Sequence, residues 1–151
     1  MTRPLLLLLP LVMTTAGVAN PHPRQEIIAA VAPARFLACI VAVEGTPDNP
    51  YGLSRDTWEQ HMPGIPYLAT LADQQECARR HLRALKGQLR GALIRADVYE
   101  LAVCWALGFD NGLAVLTGDA ENPVAKDYGA RVLHLYFDFT FEPEVRGIPN
   151  L

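Results

Sequence analysis

The stretch Pro33-Ala34-Arg35-Phe36-Leu37-Ala38-Cys39-Ile40-Val41-Ala42-Val43-Glu44-Gly45 decides the fold, because it predicts a buried helix that ends in an acid. Proline suits a first helical turn, where its missing N–H has no partner to lose. Gly45 predicts the end of the helix, since glycine readily adopts the left-handed conformation that closes helices. Positions three and four residues apart form one face of this helix, which carries Phe36, Leu37, Ile40, Val41 and Glu44.

Glu44 therefore lies on an apolar stripe at the point where the helix ends. A carboxyl group that is removed from water favours its neutral form, so we expect the pKa of Glu44 to be raised towards neutrality. A proton donor with a pKa near the working pH is what cleavage of a glycosidic bond requires. Glu44 is thus the candidate general acid, and a solvated helix-end glutamate is the alternative.

The length and the first residues of the chain indicate one exported domain. The chain has 151 residues, half of them apolar, and a net charge of -3. Residues 1–19 combine Arg3, an apolar run from Leu5 to Val12 and the small residues Gly17-Val18-Ala19, which is typical of a secretory signal peptide. The apolar run is too short to span a bilayer comfortably, so we expect no stable membrane anchor. We therefore predict a periplasmic or extracellular monomer.

The charge and the cysteines limit the other classes of function. Removal of residues 1–19 leaves 12 basic and 16 acidic residues, a balance that argues against binding of nucleic acid. Cys39, Cys77 and Cys104 leave every pairing open in an oxidising compartment, and buried free thiols are equally compatible with their positions. Cys39 with His61 or His81 is the alternative nucleophile, but an apolar helix disfavours its thiolate. No His/Cys pair has the spacing of metal ligands, and we expect no cofactor.

The periodicity predicts a mostly α fold with at most a small β-hairpin or extended segment. Residues 20–32 are interpreted as a linker with a short helical segment, residues 33–136 as the domain and residues 137–151 as a tail. Ser54, Thr70 and Asn122 are predicted helix caps, and Asp97 with Glu100 has the spacing of a capping box. The glycine-bearing stretch 109–121 is predicted to be a loop.

The order of these segments resembles the lysozyme-like superfamily, especially secreted lytic transglycosylases and goose-type lysozymes. In that family an apolar helix ends in the catalytic glutamate, as Ile40-Val41-Ala42-Val43-Glu44-Gly45 does here. The segment Asn49-Pro50-Tyr51-Gly52-Leu53-Ser54 is similar to the glycine-hydrophobic segment that lines the family's cleft, and Asp56-Thr57-Trp58 is similar to the aromatic helix that follows. Two later matches are Ala102–Gly108, for the alanine-rich helix with an aromatic signature, and Asp127–Tyr136, for the closing helix.

The resemblance implies a fold, a substrate and a set of site residues. The substrate is peptidoglycan, cleaved at its β-1,4 bonds by Glu44. Substrate-binding roles fall on Tyr51, Gly52, Leu53, Ser54, Trp58, Asn111 and Tyr128. A transglycosylase needs no second acid, whereas a lysozyme would use a second carboxylate, for which Asp48 and Asp56 are the candidates in sequence.

Departures from the family pattern keep a second interpretation open. The serine that usually follows the glutamate is Gly45, and the glutamine that usually follows the glycine-hydrophobic pair is missing, with Ser54 and Arg55 in its place. The signature asparagine aligns with Ala106, although Asn111 could substitute for it. A degenerate domain that binds glycan or a protein partner without cleavage is therefore the alternative.

Overall fold

The computed structural model describes residues 30–142, and this part of the chain folds into six helices without a β-strand. The helices are α1 (Pro33–Glu44), α2 (Arg55–His61), α3 (Leu71–Gly91), α4 (Val98–Leu107), α5 (Phe109–Thr117) and α6 (Pro123–Phe137). The predicted mostly α fold is confirmed. None of these helices combines the length and apolar character needed to cross a membrane. The predicted signal peptide and most of the predicted linker and tail lie outside the described residues.

Helix α4 is the centre of the core, and α3, α5 and α6 all pack against it. Its residues Leu101 to Cys104 are completely buried, as expected for a helix that is apolar on every side. Helix α1 packs on α6 and α3 and buries Phe36 and Ile40. Each fully buried side chain of this size contributes about 1.5–3 kcal/mol. This packing holds the acid-bearing end of α1 beside α6.

Three of the predicted helix caps are confirmed by side-chain hydrogen bonds. The Ser54 hydroxyl accepts from the Thr57 N–H at 3.1 Å, and Thr70 accepts from Asp73 at 3.0 Å. Asn122 accepts from the Ala125 N–H at 3.0 Å, directly before Pro123. Replacement of such a cap by alanine typically costs about 0.5–2 kcal/mol.

The predicted end of α1 at Gly45 is confirmed, but the left-handed conformation expected there and the predicted capping box of α4 are wrong. Gly45 has φ −56° and ψ 124°, which is not the left-handed conformation. Glycine is required there for space, because a Cβ atom would collide with the Val41 carbonyl oxygen. The Asp97 side chain makes no capping bond and instead pairs with Arg95 at 3.3 Å, so the capping box with Glu100 does not form.

The predicted loop over residues 109–121 is also wrong, because most of it forms α5. Gly112 lies within this helix at its crossing with α4, where a Cβ atom would lie 2.7 Å from Cys104 Cα. The glycine therefore allows two helices to approach closely and does not mark a loop. The apolar spacing of Phe109, Leu113 and Leu116 was the signal for this helix, and Gly118 ends it in the left-handed conformation.

Candidate active site

Glu44 is the last residue of α1, and its side chain is half-buried. Burial raises the pKa of the Glu44 carboxyl above its usual value, and this is the dominant effect on it. The Arg131 charge and the Tyr128 hydroxyl act in the opposite direction and lower this pKa without cancelling the rise. The predicted direction of the shift is therefore confirmed. The group retains its proton to a higher pH than an exposed glutamate does.

The loop after α1 returns to the Glu44 carboxyl through Gly52. Gly52 has φ +60°, and a Cβ atom there would collide with Glu44 Oε2 and lie 3.3 Å from Glu44 Cδ. Only glycine combines this backbone conformation with such a close approach. The chain therefore presses its backbone against the acid, which limits the positions that the carboxyl can take.

Asn49 holds this loop in place, although its local pattern predicts no more than a turn. Its Nδ2 atom donates to the Leu53 carbonyl at 3.0 Å, and its Oδ1 atom accepts from the Leu53 N–H at 2.9 Å. These two hydrogen bonds connect Asn49 to Leu53 and so enclose Gly52 in the loop between them. An asparagine in a proline-rich turn was the signal, because asparagine side chains often bond to nearby backbone.

Tyr128 on α6 places its phenol beside Glu44. The side chain is only 4% exposed. Burial, and next the Glu44 charge, raise the pKa of Tyr128 far above its ordinary value, so the phenol stays neutral. Its oxygen makes no hydrogen bond of standard geometry within residues 30–142. A buried donor without a partner next to a catalytic candidate is available to a ligand or to the acid itself.

Arg131 lies one turn further along α6 and was not predicted as a site residue. Its guanidinium carbon is 6.0 Å from the centre of the Tyr128 ring, and its Nε atom pairs with Asp127 at 3.1 Å. Gly129 lets α6 approach α4, since a Cβ atom there would lie 2.9 Å from Tyr99 and Val103. This close packing fixes the part of α6 that carries Tyr128 and Arg131.

A pocket of about 300 Å³ opens beside this arrangement. Glu44 does not line it but contacts Gly52, which does. The pocket walls come from the 52–57 segment, from α3 and from the end of α4: Gly52, Leu53, Ser54, Asp56, Thr57, His81, Trp105, Ala106, Leu107 and Gly108. Four of the predicted residues, Gly52, Leu53, Ser54 and Asp56, are therefore brought together here.

The aromatic residues predicted from the cleft segment and the aromatic helix are buried. Trp58 is 1% exposed and its indole donates to the Ile65 carbonyl at 2.9 Å, so it belongs to the core and its predicted contact with substrate is wrong. Tyr51 is 2% exposed, and it contributes its carbonyl oxygen to the Trp105 indole at 3.2 Å. This bond ties the loop to α4 beside the pocket. Tyr51 therefore supports the site from behind and does not face a ligand.

Two further candidates are not brought to the site. Asn111 is exposed on α5, and its amide donates to the Leu107 carbonyl at 3.3 Å. It therefore joins α4 to α5 and is not among the residues that line the pocket. Asp48 is exposed in the turn after α1 and does not line the pocket, whereas Asp56 does. Of the two candidate second carboxylates, only Asp56 lies at the pocket, where it could act on a bound ligand.

The cysteine alternative has no support in the structure. Cys39, Cys77 and Cys104 are all buried and free. Burial raises the pKa of all three thiols, to about 11 for Cys77 and Cys104, which disfavours the nucleophilic thiolate. His61 and His81 bond to each other and not to Cys39. Residues 30–142 hold no cluster of three or more potential metal ligands.

A larger depression of about 830 Å³ lies on another face, along α6 and around Phe139. It is lined mainly by apolar residues, and its one acid, Asp138, has a pKa lowered by hydrogen bonds from Thr140, so it offers no proton donor comparable to Glu44. The comparisons with known proteins add nothing to either site. No protein-family model, no curated protein and no solved structure matches this chain significantly.

Proposed function

We propose that this chain is a peptidoglycan-cleaving glycosidase, either a lytic transglycosylase or a lysozyme-like muramidase, with Glu44 as its general acid and base. One observation carries the proposal. A half-buried glutamate with a raised pKa ends an apolar helix and is pressed against Gly52, whose other neighbours form a pocket. The order of motifs that resembles the lysozyme-like superfamily supports the same conclusion.

In this mechanism Glu44 gives its proton to the glycosidic oxygen that leaves. Positive charge then develops on the sugar ring as an oxocarbenium-like centre. The Glu44 carboxylate next removes a proton from the sugar's own hydroxyl, which closes an anhydro ring, or from a water molecule. Asp56, at the pocket, is the group that would assist in the hydrolytic version. The bond between N-acetylmuramic acid and N-acetylglucosamine is the proposed point of cleavage.

Tyr128 and Arg131 stabilise the charged state of the Glu44 carboxyl. The neutral phenol can donate to the Glu44 carboxylate after proton transfer, when that group carries a full charge. The Arg131 cation favours the same charged state. Proton transfer by a positioned group accelerates such reactions by about 10²–10⁴-fold. Contacts to the sugar and to the developing charge must therefore supply the remaining acceleration.

The structure also offers one observation in favour of a binding domain that does not cleave. Glu44 contacts the pocket wall at Gly52 without lining the pocket, so a sugar in the pocket does not automatically meet the acid. In this second candidate function the pocket binds glycan or a protein partner, and Glu44 has no catalytic role. Export by the predicted signal peptide is part of both proposals, because peptidoglycan lies outside the cytoplasmic membrane.

The decisive experiment measures release of muropeptides from purified sacculi by Glu44→Gln, with Glu59→Gln as the matched surface control. We expect Glu44→Gln to lose at least about 10²-fold of activity and the control to lose none. Mass spectrometry then separates anhydro products from reducing ends. Full activity in Glu44→Gln refutes the glycosidase proposal. An inactive unmodified protein that still sediments with sacculi favours the binding domain.

Glu44→Gln also has a predicted effect on stability. Because the folded protein raises the pKa of Glu44, ionisation of this group opposes folding as the pH rises through that pKa. We expect the neutral glutamine to raise the unfolding temperature at pH 7. Below the usual carboxyl pKa of 4.5 both side chains are neutral and the gain should disappear. A gain that is equal at pH 3 and pH 7 would contradict the burial of the acid.

A further inference from the structure

Positive charge is concentrated in and just after α3, on a part of the chain that the chemistry of Glu44 does not use. Residues 77–96 hold six of the chain's 13 basic residues and none of its 16 acidic residues. The six are Arg79, Arg80, Arg83, Lys86, Arg90 and Arg95. The whole chain has a net charge of -3, so its remaining residues are strongly acidic. This asymmetry gives an acidic protein one surface that attracts anions.

Three of these basic residues share one face of α3. Arg79, Arg83 and Lys86 are four and three positions apart, the spacing of neighbours on a helix surface. None of the three makes a salt bridge within residues 30–142, whereas Arg80 pairs with Glu76 at 2.7 Å. Like charges at this spacing repel each other, and the repulsion destabilises the helix. A bound anion would remove that repulsion.

The same three side chains line a cavity of about 360 Å³ between α3 and the start of α1. Its other lining residues are Pro33 and Leu82, so apolar surface lies beside the cations. Lys86 Nζ donates to the Val31 carbonyl at 2.8 Å, which ties the start of α1 to α3. The cavity is therefore held open by packing of two helices and is not a gap between mobile side chains.

The charge of Lys86 is already opposed by its surroundings. Burial, and next the Arg90 charge, lower the pKa of Lys86. An anion beside this ammonium group would act in the opposite direction and favour its charged form. The electrostatics of the cavity thus agree with its lining, and both favour an anionic ligand.

Phosphate is the anion that these side chains suit. An arginine guanidinium binds phosphate oxygens by two parallel hydrogen bonds, and a lysine ammonium adds a point charge. A free phosphate ion would use the cations and leave the apolar surface of Pro33 and Leu82 without a partner. A phosphate that carries an apolar group, as in a phospholipid, uses both.

Leu93, just after α3, is a second feature that favours a lipid. Its side chain is 95% exposed, and its φ of +60° is a conformation that strains a residue with a Cβ atom. Helix α3 ends at Gly91, about 8 Å along its axis from Lys86, and Leu93 follows two residues later. Cations that attract anionic lipid and an apolar side chain that enters the interface are the two components of peripheral membrane binding.

We propose that the cavity lined by Arg79, Arg83 and Lys86 binds the phosphate of an anionic phospholipid, and that this face of α3, with Leu93, docks reversibly on a membrane surface. Such docking is held by charge and one apolar side chain, so it differs from a permanent anchor. It goes beyond the proposed glycosidase and requires no chemistry from Glu44. A soluble phosphate polymer is the competing ligand, because it offers the phosphate without the apolar part.

The test is sedimentation of the full chain with phosphatidylcholine vesicles that contain either no phosphatidylglycerol or about 30% of it. The pure phosphatidylcholine vesicles measure binding through the rest of the chain, including residues 1–29. We expect phosphatidylglycerol to lower the dissociation constant by about 100-fold, since each of three basic residues contributes about fivefold. About 1 M salt, with its screening length of about 3 Å, should remove most of this gain.

Arg83→Gln and the double variant Arg83→Gln/Lys86→Gln test the cavity, with Lys126→Gln on α6 as the matched control. We expect the single variant to lose about fivefold and the double variant about 25-fold of the gain from phosphatidylglycerol. The control should bind like the unmodified protein. Circular dichroism checks folding. Arg83 makes no side-chain hydrogen bond to the described residues, so the single variant decides if the double variant does not fold.

Leu93→Asn tests the contact with the bilayer. Asparagine adopts the left-handed conformation more readily than leucine does, so the variant should be at least as stable as the unmodified protein. Loss of the apolar side chain should weaken binding to the phosphatidylglycerol vesicles by about tenfold. Binding that is unchanged in Leu93→Asn would contradict docking on a bilayer.

Two further results would overturn the proposal. One is equal affinity for the two kinds of vesicle, and the other is unchanged affinity in folded Arg83→Gln. Sodium polyphosphate is titrated in parallel. If it binds as tightly as the phosphatidylglycerol vesicles and loses affinity in Arg83→Gln but not in Leu93→Asn, the cavity belongs to a soluble phosphate polymer. Purified sacculi contain no phospholipid, so muropeptide release tests the glycosidase separately, and the failure of either proposal leaves the other standing.

Discussion

Gly52→Ala is the substitution that most directly tests the arrangement around the acid. Gly52 has φ +60°, and the new Cβ atom would collide with Glu44 Oε2. The variant therefore changes two things at once, the backbone strain and the position of the carboxyl. A matched control can separate them, because Gly64 has φ +81° and a Cβ atom there would meet nothing within 4 Å.

The backbone cost should be the same in both variants. A left-handed conformation costs a residue with a Cβ atom about 1–2 kcal/mol. For a domain of this size that lowers the unfolding temperature by roughly 3–10 °C. Gly52→Ala must in addition move the Glu44 carboxyl, because the Glu44 Cδ atom lies only 3.3 Å from the new atom. A shift of about 1 Å in a catalytic group can reduce the rate by about 10²-fold.

We therefore expect Gly64→Ala to lose stability and to keep its activity, and Gly52→Ala to lose stability and about 10²-fold of its activity. Thermal unfolding gives the first quantity, and muropeptide release at a temperature where both variants are folded gives the second. Gly52→Ala with the activity of Gly64→Ala would show that contact with Gly52 does not position the acid. Equal loss of activity in both variants would attribute the effect to strain alone.

Three other predictions follow from groups around the core and the acid. Arg131→Gln removes a cation that lowers the pKa of Glu44, so the fall in activity at alkaline pH should move to higher pH. The control is Arg90→Gln, at an exposed position on α3, which should leave the pH profile of activity unchanged. Tyr128→Phe removes a buried hydroxyl that makes no hydrogen bond of standard geometry within residues 30–142 but lowers the pKa of Glu44, so thermal stability should be kept while kcat falls about tenfold with KM unchanged. A stability loss above about 1 kcal/mol would contradict this prediction. The three buried cysteines should react with a thiol reagent only after denaturation, and reduction should not change the protein's mass; reaction in the folded state would show that these helices do not bury them.

Local patterns predicted most of the helices and their starts. Helix α1 and its acid follow from apolar spacing, and Ser54, Thr70 and Asn122 cap helices by bonds to residues three positions away. Interactions of this range depend on neighbouring residues alone. The raised pKa of Glu44 was predicted for the same reason, since its burial follows from the stripe on which it lies.

The errors arise where a contact that the local pattern does not reveal decides a residue's role. Gly112 lies in the stretch predicted to be a loop, yet it marks the crossing of α5 with α4. Trp58 was a candidate for sugar contact, yet packing buries it in the core. Asp97 had the spacing of a cap, but Arg95 takes its carboxylate. In each case the decisive contact competes with a local preference and overrides it.

The sequence by itself determined a mostly α domain and the acid at the end of its first helix, because helical periodicity and capping are short-range properties. Only the tertiary structure decided what surrounds that acid. Tyr128 lies more than eighty positions from Glu44, and no spacing rule connects them. The same holds for His61 and His81, which lie on separate helices and meet at 3.2 Å only because α2 packs on α3. Packing of the helices brings these groups together, and their chemistry depends on that packing.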